Sequence, residues 1–162
     1  ALSSFNLYGF PIMMSSNGRP IWPDGFTGSI THTSDYSVAV VCPTKMSLSI
    51  GVDAEELLNF PVEIKQELMR SDENQSYEAL SRYPEPQRLA IFFVIKEAVY
   101  KTSYPILREF LEFQDVRVVM KEGSAGFSAT IINSSELSQK IIIQGAYALD
   151  HKRAYAVAWV NN

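Results

Sequence analysis

Residues 86–102 read PQRLAIFFVIKEAVYKT, and this stretch decides the fold. Ile91, Ile95, Ala98 and Thr102 fall on one stripe of a helix, and Phe93, Glu97 and Lys101 on a second at i, i+4, i+8. Pro86 suits a first turn, so the spacing predicts a helix from about Pro86 to Thr102. Upstream, the polar residues 71–78 and Tyr83-Pro84-Glu85-Pro86 predict a mobile connection. Before that, Asn59 as a cap, Pro61 in the first turn, and Val62, Leu68 and Met69 as apolar positions predict another helix. Residues 37–42 and 48–55 read as buried strands interrupted by Pro43-Thr44-Lys45. The first 28 residues, rich in Ser, Asn, Gly and Pro, predict an extended, turning path.

Downstream, a short helix is expected after Pro105, then strands over 116–121, 127–132, 140–144 and 155–160. Gly123, Gly126 and Asn133-Ser134-Ser135 supply turn chemistry between them, and His151 falls at a hairpin tip. Consecutive strands with short turns around one strong helix give an α+β fold with an antiparallel sheet.

Bulk properties narrow the function. At 162 residues with 46% apolar content the chain can bury a core without disulfides or a structural metal, and its composition excludes disorder. The net charge of −4 excludes a broad nucleic-acid surface, while leaving room for a local basic pocket for phosphates. The single cysteine, Cys42, favours a reducing compartment. No apolar run approaches the ~20 residues of a membrane span. The expectation is a cytoplasmic globular protein.

Three segments carry candidate chemistry. In Gly51-Val52-Asp53-Ala54-Glu55, Asp53 and Glu55 project from one strand face, where two carboxylates repel unless a proton or cation intervenes. Hard oxygen donors of this kind suit magnesium, and a strand end running into solvent would read the same way. In the helix, Glu97 and Lys101 form an i, i+4 pair, which is either an exposed salt bridge or a carboxylate and an ammonium at a cleft. In Gly28-Ser29-Ile30-Thr31-His32-Thr33, His32 is either a phosphate donor or a hydrogen-bonded loop residue.

Taken in order, these segments resemble the 4′-phosphopantetheinyl transferases of the surfactin-synthetase-activating and enterobactin-synthase-component-D type. The matching motifs are Arg19-Pro20-Ile21-Trp22-Pro23, Thr31-His32, Gly51-Val52-Asp53-Ala54-Glu55, and Phe93 with Lys96-Glu97-Ala98-Val99-Tyr100-Lys101. Gly25 to His32 and Tyr104-Pro105 resemble the component-D branch in particular. The resemblance implies a pseudo-twofold α+β fold of two similar subdomains with mainly antiparallel sheets. Residues 1–45 would be a partial first subdomain and 46–162 the second, with the family's opening residues lacking a counterpart here.

The activity implied is that of a holo-[carrier protein] synthase. It would transfer 4′-phosphopantetheine from coenzyme A to a serine of an apo carrier protein, as in siderophore, enterobactin or other secondary-metabolite biosynthesis. By the same resemblance Asp53, Glu55 and Glu97 would coordinate magnesium, and Glu97 and Lys101 would be catalytic. Arg19, Thr31, His32, Lys96 and Lys101 would contact coenzyme A. The shortened first half leaves a second reading, a non-catalytic module binding coenzyme A or a carrier protein.

Overall fold

The structure is a computed structural model describing residues 1–16, 18–132 and 141–162. After a 3₁₀ turn at Leu2–Phe5, β1 (Met13–Met14) and β2 (Pro20–Ile21) form a short hairpin, and β3 (Phe26–His32) pairs antiparallel with β4 (Ser37–Pro43). The chain continues through β5 (Ser47–Glu56), α1 (Lys65–Leu68), a 3₁₀ turn at Ser71–Glu73, α2 (Asn74–Glu78) and α3 (Glu85–Leu107). A further 3₁₀ turn, Phe113–Asp115, leads into β6 (Val116–Met120), β7 (Gly126–Ile131), β8 (Ile143–Leu149) and β9 (Arg153–Asn161). Among the described residues the main sheet has five antiparallel strands in the order β5-β9-β8-β7-β6, and β3-β4 stands as a separate two-stranded sheet. This is the α+β, antiparallel architecture expected.

The core lies between the main sheet and α3. Ile91, Ile95, Ala98 and Thr102 are fully buried, while Phe93, Glu97 and Lys101 are half-buried, so the two stripes of the sequence become an inner face and a cleft face. Each apolar side chain fully buried there contributes ~1.5–3 kcal/mol. Gly51, Asp53 and Glu55 of β5 stand opposite Ala158, Ala156 and Ala154 of β9. Such small residues let α3 sit directly on the sheet. A Cβ on Gly51 would fall on the Ala98 carbonyl oxygen and 2.5 Å from Thr102 Oγ1, so only glycine permits this approach. Thr102 Oγ1 shares its proton between Ala98 O at 2.8 Å and Ala158 O at 3.1 Å, pinning helix to strand.

Several local expectations change. No helix begins at Pro61: Asn59 takes a left-handed φ of 56°, and only Lys65–Leu68 is helical. The polar run 71–78 is ordered rather than a loose connection, with Glu73, Ser76 and Tyr77 buried under the sheet. Helix α3 runs five residues past Thr102 and carries Pro105 inside it, closing on Arg108 in the left-handed conformation with its N–H on Tyr104 O. A proline near a helix end forfeits one backbone bond without unwinding the turns before it. Residues 26–32, read as part of an extended approach and a loop, form strand β3. The 140–144 strand begins at Ile143 and continues to Leu149, and the Asn133-Ser134-Ser135 turn lies outside the described residues.

Candidate active site

Asp53 lies at the centre of the site. Its side chain is 5% exposed, and Oδ1 accepts from Lys101 Nζ at 2.7 Å and from Thr31 Oγ1 at 2.9 Å. Its Oδ2 is buried and has no hydrogen-bond partner among the described residues. Burial pushes the Asp53 carboxyl above the usual carboxylate range, against the pull of Lys101. Glu55 and Glu97 are raised as well, first by burial and next by the charge of Asp53, so the three carboxylates lie within electrostatic reach of one another. The strand period brings Asp53 and Glu55 to one face, and α3 supplies Glu97 and Lys101 from above. The helical pair weighed from sequence is resolved in favour of the cleft: Lys101 pairs with Asp53 across 48 residues.

Carboxylate oxygens are the donors a hard divalent cation takes, and the unpartnered Asp53 Oδ2 is an oxygen left open to one. Among the described residues, however, no three His, Cys, Asp or Glu side chains are gathered closely enough to hold a metal ion. Like charges repel, and Asp53 is drawn to an ammonium rather than to its fellow carboxylates.

Lys101 also borders a cleft of about 550 Å³ between β3 and the end of α3, with Arg19, Trp22, Gly28, Tyr100 and Tyr104 on its walls. Arg19 stacks its guanidinium on the Tyr104 ring, 5.4 Å from the centroid. A Cβ on Gly28 would lie 2.6 Å from the Trp22 indole and from Val40 O, so the indole packs directly against the strand backbone there. Two cationic side chains and four aromatic rings, those of Trp22, Phe26, Tyr100 and Tyr104, make this volume suited to a flat, anionic ligand. Thr31 and His32 fall on opposite faces of β3, because adjacent strand residues alternate: Thr31 is buried on Asp53 and His32 is exposed.

Lys96 does not reach the cleft. It is buried, and its ammonium donates to Leu68 O at 2.7 Å, Glu73 Oε2 at 2.9 Å and Phe113 O at 2.9 Å, which uses all three protons. One residue of helix turns a side chain by about 100°, which separates Lys96 in the interior from Glu97 in the cleft. Burial lowers the Lys96 ammonium below its ordinary range, and Glu73 opposes that shift. A second cleft of about 640 Å³ opens beside Glu97, lined by Tyr100, Phe110, Leu111, Phe113, Glu67 and Glu112.

A model of the 4′-phosphopantetheinyl transferase superfamily matches residues 49–160, and one of the 4′-phosphopantetheinyl transferase N-terminal domain matches residues 1–42. The chain belongs to the 4′-phosphopantetheinyl transferase superfamily. Among curated members, it is 28% identical to the 4′-phosphopantetheinyl transferase PptT of Mycobacterium tuberculosis over 156 residues, covering 90% of this chain and 61% of that one. Against enterobactin synthase component D of Salmonella typhimurium it is 36% identical over 90 residues, covering 54% of this chain and 36% of that protein. The chain thus spans about three fifths or less of the length of these relatives. In fold it is similar to a holo-(acyl-carrier-protein) synthase from Bacillus anthracis, with a TM-score of 0.53 at 20% identity over 72% of this chain and 98% of that chain.

Within the superfamily's matched region, sequence reasoning missed Glu73 and Phe113 and named Tyr100 only within a motif. Glu73 sits in a polar run read as a mobile connection, and nothing in its local spacing reveals a buried lysine 23 residues away. Tyr104 was noted only as part of a motif, not as the ring under Arg19.

Proposed function

We propose that this chain catalyses transfer of 4′-phosphopantetheine from coenzyme A to a serine hydroxyl of an apo carrier protein in the cytoplasm. The observation that carries this reading is the meeting of the carboxylate group with Lys101 at the mouth of a cationic, aromatic cleft. Membership of the superfamily supports it, as does the related Bacillus anthracis synthase, whose structure is a complex with CoA (3′,5′-ADP).

In this mechanism the anionic donor lies in the first cleft, with Arg19 and Lys101 facing its phosphates and the aromatic walls excluding water. Thr31 orients Asp53, while exposed His32 contacts a phosphate at the rim. Glu97, with its carboxyl raised by burial, takes the proton of the attacking serine oxygen. That oxygen forms a bond to the β-phosphorus, and the bond from this phosphorus to the bridging oxygen breaks to release 3′,5′-ADP. Lys101 compensates the charge that develops on the phosphoryl oxygens. Asp53, Glu55 and Glu97 would hold magnesium by drawing together around it, since as they stand they are not gathered closely enough, and when bound it would neutralise charge on the diphosphate.

A carrier of siderophore or enterobactin type is the acceptor favoured by the likeness to component D. Incubating apo peptidyl carrier protein with the chain, coenzyme A and magnesium, then weighing the carrier by mass spectrometry, tests the reading. One added phosphopantetheine per carrier, absent with Glu97→Gln, is the expected result. Calorimetric binding of coenzyme A without any mass shift would instead support a non-catalytic binding module.

A further inference from the structure

Lys96 and Glu73 are charged, fully buried and fully satisfied. Beyond the three bonds of Lys96, Glu73 accepts from the backbone N–H of Arg70 at 2.9 Å and of Val118 at 2.7 Å. Both side chains are 0% exposed. An apolar pair of similar volume serves stability as well or better in most interiors, so a charged pair in this position calls for a geometric explanation.

That explanation lies in where the two carbonyls belong. Phe113 lines the cleft beside Glu97, and Leu68 directly follows Glu67 on the other wall. Gln114 Nε2 stitches the walls to each other, donating to Glu67 O at 2.8 Å and Met69 O at 3.0 Å. Lys96 ties both walls to α3, one residue before Glu97. Glu73 anchors the ammonium from the β6 side through Val118.

We propose that Lys96 and Glu73 are a positioning pair that clamps both walls of this second cleft onto α3, so that the cleft facing Glu97 is shaped before an acceptor arrives. Its catalytic consequence rests on the transferase reading above, whereas the clamp itself does not.

The test compares three forms of the full chain: wild type, Glu73→Gln, and Glu73→Gln with Lys96→Met. Glutamine keeps an oxygen for the Val118 N–H, and the double variant leaves no buried charge unpaired. Glu73→Gln alone retains the two carbonyl bonds of Lys96. For the double variant we expect a melting temperature close to wild type. Amide exchange at Leu68, Met69 and Asp115 is expected to be at least about tenfold faster. We also expect kcat about tenfold lower with KM for coenzyme A unchanged. Glu73→Gln alone leaves the Lys96 ammonium buried without its carboxylate and should therefore melt lower than the double variant. Its exchange at Leu68, Met69 and Asp115 relative to the rest of the core, and its kcat, should stay within about threefold of wild type.

Unchanged exchange in the double variant overturns the clamp, as does a single variant as loose as the double. Wild-type kcat despite faster exchange overturns its catalytic consequence. A double variant that fails to fold shows the pair acting on stability and overturns the proposal too. If wild type transfers nothing to any carrier, the transferase reading fails and exchange alone decides the clamp.

Discussion

Replacing Lys101 with alanine removes the ammonium 2.7 Å from a carboxylate that is 5% exposed, while the lysine itself is 29% exposed. Had Lys101 paired with its helical neighbour at the surface, the loss would be under ~0.5 kcal/mol. Stranding a carboxylate in a fully closed interior would cost about 3–5 kcal/mol. Asp53 lies between these limits, since Thr31 still donates to Oδ1 and solvent reaches the lysine side. A charge-assisted bond of this kind is worth ~1.5–3 kcal/mol, and that is the expected destabilisation at neutral pH. The sign with pH follows from Asp53. Burial raises its folded-state carboxyl, and Lys101 is the leading influence lowering it, so the variant's Asp53 rises further. A carboxyl raised on folding contributes stability that is fully present below its unfolded value and lost as pH rises through its folded value. The penalty is therefore largest near about pH 7.5 and shrinks toward about pH 4, where the unfolded carboxyl also takes its proton. Urea unfolding of wild type, Lys101→Ala, Asp53→Asn and the double variant at both pH values measures this coupling. A neutral-pH penalty under ~0.5 kcal/mol, or one that does not change with pH, would refute the reasoning.

Other outcomes follow from the same geometry. Asp53→Ala should abolish carrier-protein transfer while leaving the far-ultraviolet circular dichroism and melting cooperativity intact, because it also relieves repulsion among the carboxylates. Glu97→Gln should stabilise the fold at neutral pH by on the order of 0.5–2 kcal/mol. That gain should vanish on acidification, when the wild-type carboxyl is neutral in both states; thermal melts across pH check it. Gly51→Ala should cost on the order of 3 kcal/mol, because its Cβ meets the Ala98 carbonyl backbone, and an equilibrium denaturation curve measures it.

The residues legible in the sequence were those whose neighbours are set by local period. Asp53 and Glu55 share a face because strands repeat every two residues, and Glu97 and Lys101 share one because helices repeat near every four. Residues 91, 95, 98 and 102 likewise announced the buried stripe. Period does not reveal what lies across the fold. It placed Lys96 beside Glu97 in the motif, yet the rotation of one residue sends that ammonium into the interior, to carbonyls at residues 68 and 113. The run 71–78 looked solvated because its composition is polar, whereas Glu73 and Ser76 are buried by long-range bonds to β6. A helix to Thr102 and a short one after Pro105 read as two elements, but Pro105 so close to Arg108 forfeits one bond in an end turn and the helix runs through it.

The separation of β3-β4 from the main sheet sets how the first cleft can change width. No backbone ladder joins β3 to β5 among the described residues. The two sheets are held by packing and by side-chain bonds: Thr31 to Asp53, Ser34 to Glu56, and Arg153 to Thr33 and Asp35. A change of width therefore need not unzip a strand, and of the attachments named one, Arg153 to Asp35, is an ion pair while the others are hydrogen bonds. Asp35 is 60% exposed, so dissolved salt reaches that attachment and weakens it. The hold of the hairpin's tip on the main sheet becomes a property of the surrounding electrolyte as well as of the fold.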